Sequence, residues 1–215
     1  DLFSNLKAMD ANPSSEKIRK ISGWHYERLK QWLCSENAFS EILYSEEGPE
    51  LNNTPCSEYS PDLQLEVLGI DPQTLMEPVL DIGCGINNFL MTYLKDLGLD
   101  IIGIDRFASE CHYCFKTDWL EYNYGISRWG SIISNMSFSN HFVHHHHRED
   151  GNFIAYARKY MEILNSLKPG GSFFYAPSLP FIEKYLDLNT FSVRKRIAKD
   201  NIAVSMVKRL AINNE

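Results

Sequence analysis

The stretch Val79-Leu-Asp-Ile-Gly-Cys-Gly-Ile-Asn-Asn-Phe-Leu90 constrains this chain more than any other. An apolar run ends in a carboxylate, two glycines follow, and a helical pattern starts at once. Glycine lets a backbone turn tightly and approach a ligand that a β-carbon would block, and the free amides of the next helix face the same point. Ile101-Ile-Gly-Ile-Asp105 then supplies a second apolar run ending in a second acid. The order strand, glycine loop, helix, strand, acid predicts a βαβ unit with a nucleotide-type pocket. A carboxylate about 20 residues beyond the loop suits a ribose, since an ionised acid accepts hydrogen bonds from both sugar hydroxyls.

Asp81 narrows the choice of ligand. It stands just ahead of the glycines, where a diphosphate would be repelled by a carboxylate, so a cationic ligand fits better. On these residues the sequence resembles the class I S-adenosylmethionine-dependent methyltransferases, whose first motif reads Asp/Glu-x-Gly-x-Gly and whose second strand ends in an acid. The resemblance covers roughly residues 61–210. It implies S-adenosyl-L-methionine as cofactor, leaving S-adenosyl-L-homocysteine as product. By position, Asp81, Gly83 and Gly85 would hold the methionine portion and Asp105 the ribose, with Cys84 and Arg106 in the same two loops. A third glycine is common in the family where this chain has Asn87, and asparagine also tolerates left-handed backbone geometry. Thr117-Asp118-Trp119 resembles the third motif, in which an acid meets the adenine amino group and the next side chain covers the ring. Asp118 as a plain turn residue and Trp119 as core are the competing readings. Asn135 ends a fourth predicted strand and completes the expected cofactor set.

Composition excludes several classes. The 215 residues, 44% hydrophobic, suffice for one substantial core. No apolar run is long enough to span a bilayer and no signal peptide is evident, so a soluble, cytoplasmic protein without a membrane partner is expected. A net charge of −7 argues against a nucleic-acid partner, which needs clustered Lys and Arg. The late basic residues Arg194, Lys195, Arg196, Lys199, Lys208 and Arg209 are expected to form a solvated face. Five cysteines are an odd number, and reduced thiols are expected; Cys111-His-Tyr-Cys114 lacks the second pair that a zinc site requires, and no metal is expected.

Along the chain, residues 1–60 read as an N-terminal helical extension or lid and residues 61–215 as a Rossmann-like domain. A capped start at Pro13-Ser14-Ser15-Glu16 opens an amphipathic helix that Gly23 is expected to divide, with Trp24, His25 and Tyr26 read as core packing or as an acceptor-site lining. Residues 35–61 read as a connector or binding loop, with Tyr59 at its end. Pro61–Gly69 and the segment from Phe89 to Gly98 read as helices. Strands are expected at Cys111–Thr117, Trp129–Asn135 and Ser172–Tyr175, with a helix at Asn152–Leu167 stopped by Lys168-Pro-Gly-Gly171. Phe191, Val193 and Ile197, a turn at Asp200-Asn201, and Ile202, Val204 and Met206 make an antiparallel hairpin. The sum is an α/β fold: a doubly wound, mostly parallel seven-stranded sheet closing with an antiparallel C-terminal hairpin as a reversed edge, with helices on both faces.

Methyl transfer is an in-line displacement, so the protein mainly aligns the reacting groups and removes a proton where the acceptor needs it. Histidine exchanges protons near neutral pH, and His141 and the run His144–His147 follow strand four, where the family lines the acceptor. His141 and His144 are the candidate bases; a solvated loop and a metal patch are the alternatives for the run. The signature of amino-methylating nucleic-acid enzymes is missing, which leaves a small-molecule or peptide-like acceptor. A non-catalytic S-adenosylmethionine-binding partner or regulator is the second reading. A nicotinamide dehydrogenase is disfavoured, because Asp81 would face phosphate and Asn88 replaces the third glycine.

Overall fold

The computed structural model describes residues 14–36, 59–109, 111–198 and 201–211. The chain divides into two compact units, Asp1–Asn53 and Thr54–Glu215. In the first, helix α1 (Ser15–Glu36) starts where the capping signal predicted, with Ser14 Oγ accepting from Lys17 N at 3.3 Å. It runs unbroken through Gly23, so the expected division does not occur. None of its residues is buried, and Trp24, Tyr26, Leu29 and Trp32 are exposed. Among the described residues of this unit, the apolar positions form no buried core. Most of the connector lies outside the described residues.

The second unit is a seven-stranded sheet in the order β3-β2-β1-β4-β5-β7-β6. Its strands are β1 (Val79–Ile82), β2 (Ile101–Asp105), β3 (Cys114–Lys116), β4 (Trp129–Asn135), β5 (Leu167–Ala176), β6 (Phe191–Ile197) and β7 (Ala203–Arg209). β1 to β5 are parallel, and β7 is antiparallel to both β5 and β6. The reversed strand is thus one place in from the edge, because the hairpin folds its second strand back against β5; β6 forms the rim. Strand three is shorter than predicted, and only a loop connects it to β2. The Lys168-Pro-Gly-Gly171 segment does not separate helix from strand. It is the start of β5, accommodated by a register shift opposite Trp129–Ser131 and by Gly170 at φ 82°.

Alternation within the strands sorts the core onto two faces. Leu80, Ile82 and Ile132 pack with helices α4 (Phe138–His147) and α5 (Phe153–Ser166), burying Phe138, Phe142, Tyr156 and Tyr160. Val79, Ile101 and Ile133 pack on the other face with α2 (Pro61–Leu68) and α3 (Phe89–Asp96) through Leu65, Leu68, Leu90 and Leu94. Each such fully buried side chain is worth roughly 1.5–3 kcal/mol of transfer free energy. A short helix α6 (Pro180–Glu183) carries the buried Glu183. Its Oε1 accepts from Tyr175 Oη, Leu179 N and Ser205 Oγ at 2.7, 2.8 and 2.7 Å, and Oε2 pairs with Lys195 Nζ at 2.7 Å. Other late cations are also engaged: Arg196 donates to the Glu66 and Val67 carbonyls at the end of α2, and Arg209 to Asn165 and Leu167. They tie elements together, while Arg194, Lys195, Arg196 and Lys208 are exposed, as expected of a solvated face. Asp200 and Lys199 lie outside the described residues.

Candidate functional site

The first four strands end together, and the loops that follow them build the site. β1 delivers Asp81 and turns through Gly83 and Gly85, both at positive φ (79° and 73°). The turn is closed by contact: a Cβ on Gly83 would lie 2.3 Å from Ser137 Cβ. Ser137 Oγ donates to the Ile82 carbonyl at 2.6 Å, fastening the glycine loop to the end of β4. The left-handed residue that starts α3 is Asn88 (φ 42°), one position beyond the Asn87 indicated by the motif. Met136, a non-glycine residue at φ 51°, turns the chain out of β4. Such a conformation is uncommon outside glycine and asparagine, and it is held here by the Met136 N bond to the Ala176 carbonyl at 2.8 Å.

The two acids differ in their surroundings. Asp105 Oδ2 accepts from Gly85 N at 3.2 Å and Oδ1 from Phe107 N at 2.7 Å, so the second acid orders the glycine loop. Asp81 is 3% exposed, and burial, reinforced by the Asp105 charge, pushes its carboxyl up to about 7. Asn135 is buried at the end of the adjacent strand on the same sheet face, and its Oδ1 has no partner. A buried acceptor left unpaired costs about 1–3 kcal/mol. This corner holds one carboxyl that keeps its proton up to about pH 7 and one carbonyl oxygen without a donor. A cationic ligand bearing N–H groups would correct both, so the donor set fits an ammonium and sulfonium compound.

Beside this corner opens a cavity of about 390 Å³. Of the residues singled out in the sequence, Gly83, Gly85, Asp105, Arg106, Trp119 and His141 line it. The sequence reading missed Ile86, Phe107, Met136 and Ser137 as lining residues. Met136 and Ser137 lie in the segment after β4 that was named for the acceptor; Phe107 and Ile86 carry no signal beyond their position next to Asp105 and Gly85. Asp81, Cys84, Thr117, Asp118, Asn135 and His144 are not lining residues. Asp118 Oδ1 accepts from Leu120 N at 2.8 Å, the geometry of a turn residue. Trp119 is 6% exposed and packed in the core, as its core reading expected, and it also forms part of the cavity wall.

The histidine run lies on helix α4 and not in a loop, and helical geometry separates its members. His141 is set against Trp119, ring centroids 5.0 Å apart and edge-on. Burial, then the Arg106 charge and the neighbouring His145 and His144, hold it below the ordinary histidine range. His144, one turn on, is exposed and away from the cavity. His145 stacks on Tyr156 at 4.7 Å and His146 on Phe181 at 3.8 Å, so these two serve packing. Among the described residues no three His, Cys, Asp or Glu side chains gather as a metal site. No helix described is long and apolar enough to cross a membrane.

No protein-family model matches this sequence, and no curated protein matches it in sequence. Solved structures resemble it in fold. The [4+2]-cyclase SpnF is 13% identical, with 72% of this chain and 84% of that one covered at a TM-score of 0.50. SMU.1697c of Streptococcus mutans, solved in complex with SAH, is 13% identical over 71% of this chain and 99% of that one, at 0.46. A Clostridium thermocellum protein described as an rRNA-methylase is 12% identical over 61% and 88%, at 0.42. The likeness to SpnF, with the strand order above, gives a Rossmann-like α/β fold, as the sequence predicted.

Proposed function

We propose that this protein is an enzyme that transfers a methyl group from S-adenosyl-L-methionine to a small-molecule or peptide-like acceptor, working in the cytoplasm. The observation that carries the reading is the corner at Asp81 and Asn135, a buried acid pushed up to about 7 beside an orphaned amide oxygen. That is a site short of one cation. Asp81, Asn135 and the close backbone approach allowed by Gly83 and Gly85 would hold the amino-acid end, Asp105 the ribose, and Arg106 with Trp119 the base; Cys84, Thr117 and Asp118 back these positions. The cofactor supplies a methyl already carried on a good leaving group, a sulfonium. The chain's own part is to align, to exclude water and to take a proton. His141, neutral at physiological pH, faces the cavity and is the base for an acceptor hydroxyl or amine.

The net charge of −7 supports an acceptor other than nucleic acid, since a phosphate footprint needs an excess of cations. Residues 1–60 are proposed as a lid for the domain formed by residues 61–215. A second reading is a cofactor-binding partner or regulator without turnover, since a fold does not fix a reaction; the likeness to SpnF, named for a cyclisation, shows the fold serving another chemistry. Calorimetry with S-adenosylmethionine and S-adenosylhomocysteine tests both readings. Binding by the native protein, at least tenfold weaker in Asp81→Ala, supports the site; no heat on folded protein removes it. Label transfer from methyl-labelled cofactor across a panel of phenols, amines, thiols and short peptides separates enzyme from binder.

A further inference from the structure

Three thiols run in a row from the surface to the glycine loop. Cys111 is exposed and Cys114 wholly buried on β3. The two exchange both backbone hydrogen bonds, Cys111 N to Cys114 O at 3.1 Å and the reverse at 3.3 Å. An antiparallel pair bonded in this way has Cα atoms about 5.5 Å apart, within the range of about 4.4–6.8 Å that a disulfide spans. Cys114 Sγ in turn lies 3.6 Å from Cys84 Sγ. Cys84 sits between Gly83 and Gly85, which line the cavity, and its own side chain faces Gly103, where an added Cβ would come within 2.8 Å of the sulfur. Methyl transfer makes no use of these sulfurs.

We propose that Cys84 and Cys114 form a redox modification site, joined as a disulfide by a peroxide that reacts first at Cys111, and that the cross-link disables the ligand cavity. The chemistry balances. The Cys111 sulfur attacks the peroxide, taking one oxygen as a sulfenic acid and releasing the other as water. Cys114 then attacks the Cys111 sulfur; its thiol proton leaves with the sulfenic oxygen as a second water, giving the 111–114 disulfide. Cys84 attacks the Cys114 sulfur, loses its proton, and displaces Cys111, which regains one. In sum, two thiols are oxidised by two electrons and one peroxide is reduced to two waters.

Entry through Cys111 follows from exposure. Burial, then the nearby Asp81 charge, raises the Cys84 thiol far above its ordinary range, and burial raises Cys114, so neither offers a thiolate to solvent. The disulfide matters to the cavity because the sulfurs must close from 3.6 Å to about 2.05 Å. Cys114 is held in the sheet, with Asn88 Nδ2 at 3.7 Å from its sulfur, which leaves the Gly83–Gly85 loop to move. Gly85 N, the donor to Asp105 Oδ2, lies in that loop.

The test takes the full reduced chain through a hydrogen peroxide series, then alkylation and non-reducing peptide mapping, with S-adenosylhomocysteine titrated in parallel. The expected result is a Cys84–Cys114 linked peptide pair, affinity weakened on the order of tenfold, as for loss of one charge-assisted hydrogen bond, and recovery in dithiothreitol. Cys111→Ser should slow linkage on the order of tenfold while leaving the reduced protein's binding unchanged; Cys114→Ala should abolish both linkage and loss of affinity. Failure to find the linked pair at any peroxide concentration overturns the proposal, as does complete linkage with unaltered affinity. The loss of affinity rests on the cofactor reading above. If the reduced protein binds no S-adenosylhomocysteine, that reading fails, and the linked-peptide map with hydrogen exchange of the 83–85 loop judges the thiol site by itself.

Discussion

Replacing Asp81 by asparagine should make the ligand-free protein more stable at alkaline pH while weakening its ligand binding. The carboxyl is raised from an ordinary value of 3.8 to about 7, first by burial and then by Asp105. Because the folded-state value lies above the unfolded one, the folded chain keeps its proton to higher pH. Stability therefore falls as pH rises from about 4, and levels off above about 7. A difference of roughly 3 pH units is worth about 4 kcal/mol, which is the ceiling on what ionising Asp81 costs the fold. Asparagine keeps the shape and carries no charge. Recovery of even half that amount raises the melting temperature by roughly 4–8 °C for a domain of this size. Thermal melts of both proteins at pH 5 and pH 8, without ligand, measure it: the gap between the melting curves should be clearly wider at pH 8 than at pH 5, where only part of the range from about 4 to about 7 has been crossed. A bound cation should also draw the proton off Asp81, so calorimetry near pH 6 in buffers of different ionisation enthalpy should show proton release on binding. If Asp81→Asn melts no higher than the native protein at pH 8, the buried acid is not strained by its charge and the argument for a missing cation fails.

Three further outcomes are expected. His141→Gln should lower kcat by about 10²–10⁴-fold with little change in cofactor affinity, and the native pH–rate profile should lose activity only below the ordinary histidine range, read by initial rates on any acceptor found. Gly83→Ala meets Ser137 at 2.3 Å with φ at +79°, so it should cost about 3 kcal/mol or more by chemical denaturation and abolish S-adenosylhomocysteine binding. Glu183→Ala leaves Tyr175, Ser205 and Leu179 N without their shared acceptor and Lys195 without its partner, and should destabilise the fold by about 3–5 kcal/mol in urea melts.

The parts of the site that were legible in the sequence were those set by local geometry. Positive φ at Gly83 and Gly85, and an acid at the end of each of two apolar strands, leave a short-range pattern that only a few structures satisfy. The helix at 153–166 and the hairpin were legible for the same reason, through their periods of 3.6 and 2. The histidine run was not. Four consecutive identical residues erase the periodicity that would reveal a helix, and only packing of Phe138 and Phe142 against Tyr156 and Tyr160 shows that α4 exists and which histidine it turns inward. Lys168-Pro-Gly-Gly171 reads as a break because proline and glycine lower both helix and strand propensity, yet pairing with β4 carries the strand through them.

The amino-acid order alone determined the α/β class and the glycine turn between two acids, because each depends on residues within a few positions of one another. Tertiary structure decided the rest. It folded β7 between β5 and β6, and selected His141 over His144. It left Asn135 without a donor beside Asp81, and brought Cys84 and Cys114, thirty residues apart, to 3.6 Å. These are contacts across the sheet, and register and burial set them only when the strands have found their neighbours.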